Sequence, residues 1–161
     1  MRLEKPAEAD YELHELIRRR WSPHAFQEDP LEKESVRRML EAARWAPSCY
    51  NDQPWRFIVG EKGGETHENI LEALYDGNRE WAKHAPLLMV SVASCTFDHN
   101  GEENRHALHD VGLAVENLVL QALDEGIFVH QMAGYDEARV RESFSIPGGH
   151  EPVACLAAGR P

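Results

Sequence analysis

The sequence predicts an α+β domain, a mixed central sheet flanked by helices. Short segments of alternating or unbroken apolar character interleave with longer ones whose apolar residues recur every three or four positions. The interleaving is too irregular for a doubly wound sheet, and no glycine-rich loop of the G-x-G-x-x-G or P-loop type occurs. A chain of 161 residues suits a single domain with a sizeable core, 1–161, whose residues 1–10 form a charged extension.

Tyr11 to Arg20 reads as a helix carrying Leu13, Leu16 and Ile17 on one face. Trp21-Ser22-Pro23 ends it, because proline biases the preceding residue away from helix. The next helix has start signals: Asp29 as N-cap, Pro30 at the first helical position, Glu32 at capping-box spacing. Val36, Met39, Leu40 and Ala43 give it an apolar face, and Pro47 marks its end. Pro47 to Pro54 is irregular. Trp55 to Val59 alternates like a strand, Glu61 to Gly64 is a turn, and Glu65 to Asp76 reads as a helix burying Ile70, Leu71 and Leu74. Gly77-Asn78 is taken as its break, with a short helical turn over Arg79 to His84.

Pro86 to Ala93 is an unbroken apolar strand. A polar loop leads to the longest helix, Asn104 to Glu125, where Leu108, Val111, Val115, Leu118 and Ala122 keep three-four spacing. Leu113, Ala114, Val119, Leu120 and Leu123 extend its apolar surface around most of the circumference. Such a helix needs cover on several sides, from a large core or another subunit. Gly126 stops it. A strand over Ile127 to Gln131, a turn over Met132 to Gly134, a helix over Asp136 to Phe144 and a strand over Pro152 to Ala158 complete the chain.

Seventeen basic against 28 acidic residues give a net charge of −11. That balance argues against nucleic acid and anionic membranes as partners, since both are bound by neutralising phosphates. No apolar run approaches the roughly 20 residues that cross a bilayer, and the charged N-terminus is no secretory signal, so a cytoplasmic location is expected. Cys49, Cys95 and Cys155 are too scattered for a disulfide framework or a zinc site. Arg18, Arg19 and Arg20 form the one dense basic cluster. It suits either a solvated helix end or a phosphate.

Three segments go beyond periodicity. R-R-W-S-P-H-A-F (19–26), A-A-R-W-A-P-S-C-Y-N-D-Q-P-W-R-F (42–57) and V-H-Q-M-A-G-Y-D (129–136) resemble the flavin-contacting segments of the nitroreductase family, and N-R-E-W-A-K-H-A-P (78–86) resembles one subgroup of it. Their order and spacing agree from Tyr11 onward. The resemblance implies an intertwined α+β homodimer with FMN at the subunit interface, reduced by NADH or NADPH. An electron-poor small molecule, nitroaromatic or quinone, would then take the electrons in a ping-pong cycle.

By resemblance, Arg20, Trp21 through its backbone, Ser22 and His24 lie along the flavin, with Arg20 at the phosphate, which a guanidinium matches bidentately. Pro47, Ser48, Cys49 and Asn51 would reach the FMN of the other subunit. Gln131, Met132, Ala133 and Gly134 would pass the opposite side of the ring with their backbone amides, Gly134 allowing close approach. The flavin carries the chemistry, so no side chain is expected as general acid or nucleophile. His24 stands where the family usually carries Lys or Arg, and Cys49 where Ser is common.

His106 and His109, three apart beside Asp110, have the spacing of two metal ligands on one helix face. Polar surface or a pocket lining explains them as well, and no third ligand is fixed by spacing, so no metal is expected. The sequence stops at Pro161, directly after its last strand, where family members continue in an arm around the partner. The expectation is an absent arm and weak FMN retention; the alternative function is a flavin-binding or interaction protein with little turnover.

Overall fold

A computed structural model describes residues 5–161; residues 1–4 of the expected extension lie outside the described residues. The chain runs α1 (Glu15–Arg19), α2 (Lys33–Arg44), a 3-10 turn (Cys49–Asn51), β1 (Trp55–Glu61), α3 (Glu65–Ala73) and α4 (Asp76–Ala82). Then come β2 (Leu87–Ser94), α5 (Ala107–Asp124), β3 (Phe128–Met132), α6 (Glu137–Ser143) and β4 (His150–Gly159). The strands form one sheet in the order β1-β2-β4-β3.

The α+β class holds, with one correction. Each of the three strand pairs is antiparallel, whereas the sequence reading expected a mixed sheet. Alternation of apolar residues marks a strand but carries no direction; direction is set by how the intervening helices return the chain. β2 is buried along its whole length. Its residues alternate between two cores. Leu87, Met89 and Ala93 face α2 and α5, together with Met39, Val111 and Leu118. Leu88, Val90 and Val92 face the other layer, with Ile70, Leu74 and Val140. Helices cover both faces, so β2 reads as unbroken rather than alternating.

Four local expectations shift. The first helix contracts to Glu15–Arg19 and buries nothing, leaving Leu13 and Ile17 exposed. α2 begins at Lys33 after Glu32, which makes no side-chain capping bond, so the Asp29-Pro30 signals lie upstream of the helix. α3 ends at Ala73, and Gly77-Asn78 falls inside α4 rather than between helices. The break comes instead at Leu74-Tyr75, where Leu74 bridges Tyr135 and Tyr75 N–H donates to the Gly134 carbonyl at 3.1 Å. Those bonds are to residues about sixty positions away in the chain, invisible to a local reading.

α5 is clamped between the sheet and α2. Arg38 grips Glu125 bidentately at 2.8 and 2.7 Å, and that guanidinium holds the Glu125 carboxyl down at about 2. The chain therefore supplies much of the cover that α5 needs. A strip remains: Leu108 is exposed, and Leu113 and Leu120 are half-buried. Among the described residues no helix is long and apolar enough to cross a membrane.

Candidate functional site

The expected site residues fall into two groups. The first lies along β3, which ends the sheet. Residues 20–24 are anchored where Nδ1–H of His130 donates to the Pro23 carbonyl at 3.0 Å and Trp21 packs on Phe128 at 5.8 Å. Gln27 N–H, bonded to the Arg160 carbonyl at 2.8 Å, ties the same segment to the end of β4. Trp21 is thus held by its ring.

Arg20, Ser22 and His24 are exposed beside this anchor. The arginine cluster separates into roles. Arg18 and Arg19 approach Glu15 at 4.0 and 3.7 Å, whereas Arg20 makes no ion pair among the described residues. A guanidinium without an internal partner remains available to an anion.

His24 belongs to a three-ring cluster. It stacks on His130 at 4.8 Å and lies 4.7 Å from Trp81, which in turn lies 4.6 Å from His130. Burial, with His24 alongside, pulls the His130 pKa down despite its bond to Pro23, so its imidazole favours the neutral form. Neither Trp81 nor His130 was picked out from the sequence. Both lie inside the recognised segments, and the signal that could have found them is their aromatic character there.

Beyond β3, Gln131 and Ala133 are exposed, while the Met132 side chain turns into the core and leaves only its backbone available. The N–H groups of Ala133 and Gly134 have no acceptor among the described residues. The Gly134 carbonyl accepts from Asn78 Nδ2 at 3.0 Å, and a Cβ on Gly134 would come within 2.6 Å of that nitrogen. Close approach at Gly134 is therefore required by Asn78 of this chain itself.

The second group is the loop from Pro47 to Gln53. Tyr50, Asn51 and Gln53 all have left-handed backbone, with φ of 54°, 54° and 53°. Non-glycine residues hold such conformations only where their surroundings enforce them. Here Cys49 N–H donates to Asp110 Oδ2 at 2.9 Å, Gln53 N–H to Ser48 Oγ at 3.0 Å, and Asp98 N–H to Asp52 Oδ1 at 2.9 Å. Ser48 is thereby engaged in its own loop. Asn51 is exposed and its Oδ1 accepts from Gln53 Nε2 at 3.2 Å. Asp110, which the sequence reading noted only as a neighbour of two histidines, is the post that holds the loop to α5.

Pro47, Ser48 and Cys49 share a cavity of about 340 Å³ with His106, His109 and Leu113. No hydrogen bond or aromatic contact among the described residues joins this group to the first. Arg20 and the free amides of residues 133 and 134 fit the anionic and carbonyl oxygens of an FMN. A planar ring between them would need a second wall.

The sequence pattern of the nitroreductase family matches residues 17–92 and 73–160. An uncharacterized 15.4 kDa protein of Mycolicibacterium smegmatis is 32% identical over 114 residues, 65% of this chain and 74% of its own length. A Stenotrophomonas maltophilia protein, named as a candidate NADH dehydrogenase/NAD(P)H nitroreductase, is 27% identical over 82% of this chain and 76% of its own. Among solved structures, one described as an oxidoreductase containing FMN superposes with a TM-score of 0.91. It is 36% identical, over 95% of this chain and 79% of that one.

Proposed function

The chain belongs to the nitroreductase family, and from that premise we propose that it is an FMN-dependent, NAD(P)H-oxidising reductase of electron-poor small molecules, built as a cytoplasmic homodimer. The observation that carries this reading is the pair of incomplete groups. Among the described residues one offers a cation without an ion-pair partner and two amides without acceptors, the other a strained loop pinned to a buried carboxylate, and no hydrogen bond joins the two. Two copies would bring the Pro47–Asn51 loop of each against the Arg20–His24 segment of the other. The apolar strip along α5 lies next to the loop, with Leu113 lining its cavity, and suits burial between copies.

In that arrangement Arg20 and Ser22 hold the phosphate and ribityl end, and the amides of Ala133 and Gly134 meet the ring oxygens. His24, kept in place by Trp81 and His130, borders the ring edge. Pro47, Cys49 and Asn51 of the second copy close the site and exclude water. Bound FMN supplies hydride transfer, with donor and acceptor using one place in turn. The test is direct. Protein purified with added FMN should show flavin absorbance near one FMN per chain, and should oxidise NADH or NADPH when a nitroaromatic or quinone is present. Bound FMN without NAD(P)H-dependent turnover would leave only a flavin-binding protein, and no bound FMN would overturn the reading.

A further inference from the structure

Residues 5–14 precede α1 and double back along it, each of them exposed. Ala7 N–H donates to the Arg18 carbonyl at 2.8 Å, one of the carbonyls in the last turn of α1 that the helix cannot satisfy itself. That bond brings the start of the segment beside the end of α1. Two residues earlier, Lys5 lies over the indole of Trp21, its Nζ 4.9 Å from the ring centroid. The same indole packs on Phe128 of β3, so the ring that carries Lys5 is itself anchored to the sheet.

Lys5 has carboxylates in its surroundings and pairs with none of them. Glu8, Asp10, Glu12 and Glu15 line one cavity with it, yet among the described residues Lys5 forms no ion pair. An ammonium resting on an aromatic face still has hydrogens to give to an acceptor.

Trp21 stands between Arg20 and Ser22, the residues that the flavin reading puts at the phosphate and ribityl end. A phosphate monoester carries about −1.5 to −2 at neutral pH. One guanidinium therefore leaves a large part of that charge uncompensated, in a chain whose net charge is −11. Arg18 and Arg19 face Glu15, at 4.0 and 3.7 Å, and are drawn to it rather than to a ligand.

We propose that Lys5 is a second cation for the phosphate of FMN, a binding residue that the Trp21 ring carries to the group met by Arg20. This role rests on the flavin reading and extends it to the segment before α1, which that reading does not use. The indole restricts a long, flexible side chain before the ligand arrives, so less rotamer freedom is lost on binding.

The experiment measures, by fluorescence quenching on the full chain, the dissociation constants of FMN and of riboflavin, the same flavin without its phosphate. Their ratio isolates the phosphate contact. Lys5→Met keeps an apolar stem for the indole and removes the charge. It is expected to lower the preference for FMN by about 4-fold, with riboflavin affinity held within about 2-fold. Lys5→Arg should keep the preference. Raising the KCl concentration should erode the preference in the wild type, and erode it less steeply in Lys5→Met. Equal losses for both flavins would show that Lys5 only packs on Trp21, and an unchanged preference would show no contact with the phosphate. Either result overturns the role of Lys5 while the flavin reading stands; a wild type that binds neither flavin overturns both.

Discussion

His67 shows how one buried side chain makes stability depend on pH. It is 1% exposed, its Nε2–H donates to the Ala85 carbonyl at 3.0 Å, and its Nδ1 is buried without a hydrogen-bond partner, the Glu68 carboxylate lying 4.0 Å away. Burial outweighs that bond and pulls its pKa below the ordinary 6.5. The folded chain therefore refuses a proton that the unfolded chain accepts. Stability from this group is complete above about pH 6.5 and declines as the pH falls toward the depressed folded value. The urea midpoint of the wild type is expected to drop between pH 7.5 and 5.5, and to drop less in His67→Gln. His130, shifted in the same direction, should keep some of the slope in that variant. Equal slopes in the two proteins would assign the effect elsewhere.

At the scale of elements, α3 has an unusual ending. It has no basic residue in its last turn and no glycine to reverse the chain; Leu74 is extended at its C-cap. Arg79 reaches back from α4 and caps it from outside. Its Nε donates to the Leu71 carbonyl at 3.3 Å, and one terminal nitrogen donates to the carbonyls of Leu74 and Glu72 at 2.7 and 3.1 Å. Arg79→Ala should cost about 1–2 kcal/mol in denaturant unfolding, the net value of such bonds at a part-exposed site. Lysine should recover less than half of the loss, because a point charge cannot address three carbonyls as a planar fork does. Full recovery by lysine would show that charge near the helix end, rather than hydrogen-bond geometry, is what matters.

The whole molecule exposes apolar groups that one chain has no use for. Ile17 is 52% exposed and Trp45 is 73% exposed, although Trp45 is held in place by its Nε1–H bond to Glu41 at 2.9 Å. Leu16, Trp45 and Leu120 also share a cavity of about 440 Å³ where α1, α2 and α5 meet. A surface of this kind is usual where another chain binds. Sedimentation should find two chains per particle. Ile17→Glu with Trp45→Glu should yield single chains that have lost FMN as well, because in the proposed dimer each site takes groups from both copies. A monomeric variant that keeps stoichiometric FMN would refute the shared site while leaving the family assignment untouched.

At this scale the balance between sequence and structure also becomes visible. The number of elements, the unbroken β2, the wide apolar face of α5, and the segments 20–24, 47–51 and 131–134 as site candidates could all be read along the chain. The elements rest on spacing or on a local run of residues, and the site candidates on the resemblance of those segments to the nitroreductase family. The antiparallel course of every strand pair, the break at Leu74-Tyr75 and the post at Asp110 could not. The Asp110 bond to Cys49 spans 61 positions and that of Asn78 to Gly134 spans 56. Periodicity reports which face of an element is buried, because that follows from its own residues. Which distant group meets that face, and so which side chains are spent on holding the site and which are left to a ligand, depends on the closure of the chain in space.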